Sequence, residues 1–199
     1  LGDVYKRQSL IAESVKNCKV ASLARVVEKD IDKAAQALEK ATDPRIHTFV
    51  SSSAIHMEHQ MRKDPEEIIE MAVKAVTRAK KYVDDVEFSP MDATRTDMDF
   101  LITLLEETIS AGATTINIPD TVGYSVSKEF GESIKLIINK VKNIDGVIVS
   151  VHCHNDLGLA VSNSLSAVEN GARQIEGCIN GLGERAGNAA LEEVIMGLE

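Results

Sequence analysis

Tryptophan is absent from this chain of 199 residues, and aromatic side chains make up only 4% of it. Apolar residues still reach 44%. A sizeable core is therefore available, and it must be built from Ile, Val, Leu and Ala. Cysteine is scarce as well. Cys18, Cys153 and Cys178 are odd in number and show no Cys-x-x-Cys spacing. That excludes a disulfide scaffold and points to reduced thiols in the cytoplasm. Clusters of Lys and Arg are missing from a chain of net charge −9. Nucleic acid is thus not an expected partner. No apolar run approaches the ~20 residues that cross a bilayer, and no signal-peptide pattern is seen, so no membrane association is expected.

The chain does have one repeated alternation. Short β-branched runs are each followed by a longer segment of helical period. The expected strands are Lys19–Leu23, Ile46–Val50, Val86–Phe88, Thr115–Ile118, Val147–His152 and Gln174–Cys178. Asp64, Pro65 and two glutamates read as an N-cap, a first helical position and an acidic first turn. Ile68, Ile69, Ala72, Val73, Val76 and Ala79 then form an apolar stripe. Thr96 is the expected cap of a helix carrying Leu101, Leu105 and Ile109, which Gly112 closes. Asn170-Gly171 ends another helix in the same way.

Strand–helix alternation implies a parallel sheet buried on both faces. The units are about 30 residues each, and a closed eight-unit barrel takes ~250 residues. The fold class expected is α/β, a partial (β/α)8 TIM barrel with strands 3 to 8 present and strands 1 and 2 missing. An open doubly wound sheet lacks support, because no glycine-rich phosphate loop follows a strand. Residues 1–8 show no period. They are set apart as an added junction or a frayed terminus, and residues 9–199 as an incomplete catalytic barrel domain.

Strand ends carry the chemistry. Residues i and i+2 of a strand face the same way, so His152 and His154 can aim together at the barrel axis. They would do so at the C-terminal strand ends, where such barrels place their active sites. Two imidazoles followed by Asn155 and Asp156 suit a divalent metal, while structural hydrogen bonding is the plainer reading. Cys153 between them should pack into the strand–helix layer. A second constellation runs from Asn180 to Asn188, with three glycines in the seven residues from Gly181 to Gly187. Such glycines let backbone approach a ligand, and Glu184, Arg185 and Asn188 ride on that support. An ordinary glycine-rich turn is the alternative. Thr121 follows Pro119-Asp120, where either a carboxylate contact or a plain turn is open. His47 and the segment Glu87 to Arg95 also lie at strand positions, and a lone His47 is equally well a packing residue. His56 and His59 read as surface residues.

These segments carry a resemblance. His152 to Val194, with its HCHND and GERAGN motifs, resembles the metal-binding half of the 2-isopropylmalate synthase family, within a broader group of acyl-CoA aldol enzymes. RIHTFVSSSAIH and INIPDTVGY are similar to the same family at their own strands. The resemblance covers nearly everything from Ser9 to Glu199. It implies a (β/α)8 barrel that condenses acetyl-CoA with 2-oxoisovalerate in leucine biosynthesis, in a cytoplasmic enzyme whose parent is a homodimer. It implies a divalent metal, Mn or Zn with Mg possible, held by His152, His154 and Asn188. It also implies Thr121 on the oxo-acid carboxylate, His47 and Ser89 around the branched side chain, and Glu184 near the acetyl group as base or as the group orienting a basic water.

The sequence departs from the family pattern. The Arg-Asp-Gly motif that supplies a further metal ligand is absent, as are the family's C-terminal subdomains. Met91 stands where many members carry an acid. No activity is therefore expected of this piece alone. Homocitrate synthase, citramalate synthase, a lyase of the HMG-CoA lyase kind and an inactive barrel fragment are the alternatives.

Overall fold

The computed structural model describes residues 2–199. Six strands form one sheet: β1 (Val20–Arg25), β2 (Pro44–Ser51), β3 (Asp85–Met91), β4 (Thr115–Asp120), β5 (Ile148–Cys153) and β6 (Gln174–Glu176). They lie in sequence order, and every pairing is parallel. Helices α1 (Gly2–Ser14), α2 (Glu28–Leu38), α4 (Pro65–Ala79), α5 (Met98–Ser110), α6 (Ser127–Lys140), α7 (Ala160–Glu169) and α8 (Leu191–Leu198) surround it. Between β2 and α4 a short α3 (Ala54–His56) runs into a π-helical turn at Met57–Met61.

The sheet is curled into a partial barrel. Strands β2 and β6 are four places apart, roughly 19 Å in a flat sheet at ~4.8 Å per strand. Yet Arg45 of β2 donates to Gln174 of β6 at 2.7 Å. Gln174 also donates to Glu87 of β3 at 2.8 Å, and Asn117 of β4 to Glu176 of β6 at 3.2 Å. Only strong curvature brings these side chains within one bond length. This is the partial TIM barrel expected from the alternation.

Period-2 alternation separates the two faces. Ile46 and Val50 of β2, Val86 and Phe88 of β3, Ile116 and Ile118 of β4, and Val149, Val151 and Cys153 of β5 point outward. There they join Ile68, Ala72, Val76, Leu101, Leu104, Leu105, Ile134 and Ile137 of the helices in one aliphatic core. Cys153 is fully buried in it, and burial pushes its thiol up to about 12. The inner face carries Arg45, His47, Glu87, Asn117, His152 and Glu176 instead. The core therefore sits between sheet and helices, and the axis is left polar.

Helix ends follow local chemistry. Asp64 accepts from the Glu67 amide while the Glu67 side chain accepts from the Asp64 amide, a reciprocal cap with Pro65 behind it. Gly112 and Gly171 close α5 and α7 with φ of +114° and +112°. In each case the two residues after the cap bond back into the last turn. Two expectations change. The cap of α5 is Asp97, which accepts from the Phe100 amide, because the Thr96 hydroxyl is drawn to Ser52 and to the Asp92 carbonyl. Strand β6 stops at Glu176 because the Cys178 amide turns to Ala189 in the following loop. Residues 2–8 lie within α1, and Gln8 bridges to the Ala21 carbonyl and the Ser22 hydroxyl of β1.

Candidate active site

A pocket opens at the C-terminal ends of the strands. Its walls include His47, Ser89, Thr121, His152, His154 and Glu184. Six of the residues singled out in the sequence thus converge. Leu23, Phe49, Met91 and Pro119 supply apolar wall, and Asn117 and Glu176 supply polar groups that sequence reasoning missed.

Strand alternation places the two imidazoles as expected. Their Nε2 atoms approach to 3.2 Å. His154 Nδ1 lies between the Thr121 carbonyl, which accepts, and Arg185 Nη2, which donates, at 3.1 Å. His152 Nδ1 lies 3.0 Å from a Glu176 carboxylate oxygen, off the ideal line, and has no other polar partner. The two Nε2 atoms face each other in the pocket. Metal–nitrogen bonds of ~2.0–2.1 Å put neighbouring ligand nitrogens roughly 3.0–3.4 Å apart. The pair fits a divalent metal.

Asn188 sits differently. Its backbone pairs with His154, but its side chain lines an adjoining cleft with Asn155 and Asn180. Its amide nitrogen donates to Cys178 Sγ and to the Leu182 carbonyl, both at 3.1 Å. Its Oδ1 is buried without a partner. The Asn155 and Asp156 side chains are engaged elsewhere. Asn155 accepts from the Ala160 amide, and Asp156 is gripped by Arg185 through contacts of 2.7 and 2.8 Å. Those bonds to Arg185 hold the Asp156 carboxyl below the usual range.

Arg185 also donates to the Thr121 carbonyl at 2.8 Å, tying the glycine-rich loop to the end of β4. The loop needs its glycines. A Cβ at Gly187, where φ is +101°, would meet the Gly181 carbonyl oxygen at 2.1 Å. Gly187→Ala is therefore expected to cost more than ~1 kcal/mol of stability. A thermal melt within a degree of the unsubstituted protein would refute this.

His47 sits beneath the histidine pair. Ser89 lies 2.7 Å from its Nε2, and Asn117 donates to the same hydroxyl at 2.9 Å. Glu176 is 3.4 Å from its Nδ1. Burial, reinforced by His152 and Arg45 against the pull of Glu176, pushes His47 down to about 4, so it is neutral at pH 7. Burial and the Glu176 charge push Glu87 up to about 7 despite its bonds from Arg45 and Gln174. For Glu176 burial acts upward, but His152, His47 and Glu87 outweigh it and keep it ionised. Thr121 Oγ1 accepts from the Asp92 amide at 2.9 Å, which leaves the Thr121 hydroxyl proton free to donate into the pocket. The Glu184 side chain is 80% exposed at the rim. His59 is exposed as expected, whereas His56 turns toward buried Asp92 at 3.3 Å.

A curled parallel sheet with paired histidines at its strand ends defines a class. The HMGL-like family profile matches residues 5–199, and the chain belongs to that family. Within it, the chain is 56% identical over 192 residues to 2-isopropylmalate synthase of Methylococcus capsulatus, covering 96% of the chain and 37% of that protein. The 2-isopropylmalate synthase of Pyrococcus abyssi is also 56% identical, over 195 residues, covering 98% of the chain and 40% of that protein. The chain thus spans less than half the length of these curated relatives. Among solved structures, the HMG-CoA lyase of Bacillus subtilis superposes with a TM-score of 0.78 at 19% identity, covering 100% of this chain and 67% of that one. That likeness shows the shared fold.

Proposed function

We propose that the chain is part of the catalytic barrel of a 2-isopropylmalate synthase, joining the acetyl group of acetyl-CoA to 2-oxoisovalerate. The observation that supports this most is the convergence of the His152 and His154 Nε2 atoms at 3.2 Å in a pocket shared with His47, Ser89, Thr121 and Glu184. The identity to named synthases supports the choice of reaction within the family.

His152, His154 and the free Oδ1 of Asn188 would hold a divalent metal, Mn or Zn. When bound, such an ion polarises the ketone of a 2-oxo acid and stabilises negative charge on its oxygen. The Thr121 hydroxyl, with its proton free, donates to the substrate carboxylate. Neutral His47, Ser89 and Leu23 receive the branched side chain, and an uncharged wall suits an isopropyl group. Met91 adds apolar surface there, where an acid would favour a more polar substrate. A methyl proton next to a thioester is weakly acidic, so a base must stand close to it. Glu184 at the rim is that base, or it orients a water that serves. We infer cytoplasmic residence and a homodimeric parent. No helix among the described residues is long and apolar enough to cross a membrane.

The test is thiol release from acetyl-CoA by the full-length protein that contains this chain, with 2-oxoisovalerate, pyruvate or 2-oxoglutarate as acceptor. The expected result is at least ~10-fold higher kcat/KM for 2-oxoisovalerate, a margin of roughly 1.4 kcal/mol within reach of one apolar pocket. A preference for either other acid, or cleavage of HMG-CoA, would replace the reading.

A further inference from the structure

His47, Glu87 and Glu176 bring one ligand atom each within 4.8 Å of one another. A second cation is the first explanation to weigh, and the geometry argues against it. Both oxygens of Glu87 are already engaged, one by Arg45 at 2.9 Å and one by Gln174 at 2.8 Å. What remains is Glu176, whose two oxygens face two different rings. Oε1 lies 3.4 Å from His47 Nδ1, and Oε2 lies 3.0 Å from His152 Nδ1. Asn117 donates to Oε2 at 3.2 Å and to Ser89 at 2.9 Å, which anchors the carboxylate from the side. Register explains the placement. His152 of β5 and Glu176 of β6 are direct neighbours across the strand pair, and the curl brings β2 to the same point.

We propose that Glu176 is a positioning residue that sets the tautomers of both imidazoles at once. It keeps the proton of His152 on Nδ1 and so leaves Nε2 toward His154. It keeps the proton of His47 on Nδ1 and so leaves Nε2 to accept from Ser89. One carboxylate thereby ties the metal position to the wall that receives the substrate side chain. Carboxylates behind ligating histidines commonly act this way, and their loss lowers metal affinity by roughly 10–100-fold. Here the same group also reaches a residue that ligates nothing.

The metal-affinity part rests on the reading under Proposed function, whereas the tautomers do not. The experiment uses the full-length protein, metal-free, with 15N-labelled histidine. The ring-nitrogen resonances of His47 and His152 are expected to show Nδ1–H in the unsubstituted protein. Nε2–H on either ring would overturn the proposal without any variant. Glutamine keeps one acceptor oxygen of the two, so Glu176→Gln is expected to release at least one ring to Nε2–H. Its Mn2+ Kd, followed by electron paramagnetic resonance, should rise about 10–100-fold. Unchanged tautomers, or an unchanged Kd, would overturn the role, and a lowered melting temperature alone would indicate mere packing. Failure of the unsubstituted protein to bind Mn2+ would remove the functional reading, while the ring signals still decide the positioning role.

Discussion

Replacing His154 with alanine in the full-length protein should lower Mn2+ affinity by more than ~100-fold, and acetyl-CoA turnover should fall with it. Loss of groups behind a ligand already costs roughly 10–100-fold, and loss of the ligand itself must exceed that. The fold should survive. His154 lies at the end of β5, beyond the aliphatic core, and the Thr121 carbonyl it holds keeps a second donor in Arg185 at 2.8 Å. His152→Ala should behave alike, since the two Nε2 atoms share one position. Metal content measured on the purified variants decides the matter. Loading equal to the unsubstituted protein would remove these histidines from the metal site.

The second large effect concerns stability. Phe88 is one of the few aromatic residues in the chain, and it is fully buried on the outer face of β3. The core around it is mainly aliphatic, with Phe130 as its other fully buried ring. Phe88→Ala is expected to cost about 3–5 kcal/mol. Domain stabilities are typically ~5–15 kcal/mol, so this is a large share of the total. Urea unfolding should show a lower midpoint with an unchanged slope. A loss below ~1 kcal/mol would mean that the strand–helix layer collapses around the gap.

All six strands were legible because each is a β-branched run between helix signals, and because parallel burial leaves little doubt about direction. Alternation alone put Cys153 in the strand–helix layer, where it is fully buried. His152 and His154 were legible for the same reason, as were His47, Ser89, Thr121 and Glu184 once the family motifs were set beside them. Asn188 comes beside His154 through its backbone, but its side-chain direction depends on the turn through Arg185, a non-glycine residue at φ +55°. Asp156 illustrates another limit. Its carboxylate sits in a histidine-rich motif, yet Arg185, far along the chain, claims it. Glu176 and Gln174 were hidden because, besides their neighbour β5, they reach β2, β3 and β4 across the curl. Period reveals which face a residue takes, while curvature decides what that face meets.

The strand order has a further consequence for how the molecule comes together. Every strand pairs only with the strands next to it in the chain, so the strand–helix layer closes in local steps and none must wait for the far end. The inner polar contacts are of another kind. Arg45 and Gln174 are 129 residues apart, and Glu87 and Gln174 are 87 apart. These contacts cannot form until β6 has been added and the sheet has bent. During synthesis the hydrophobic layer can thus mature unit by unit, while the inner polar face stays unassembled until β6 arrives.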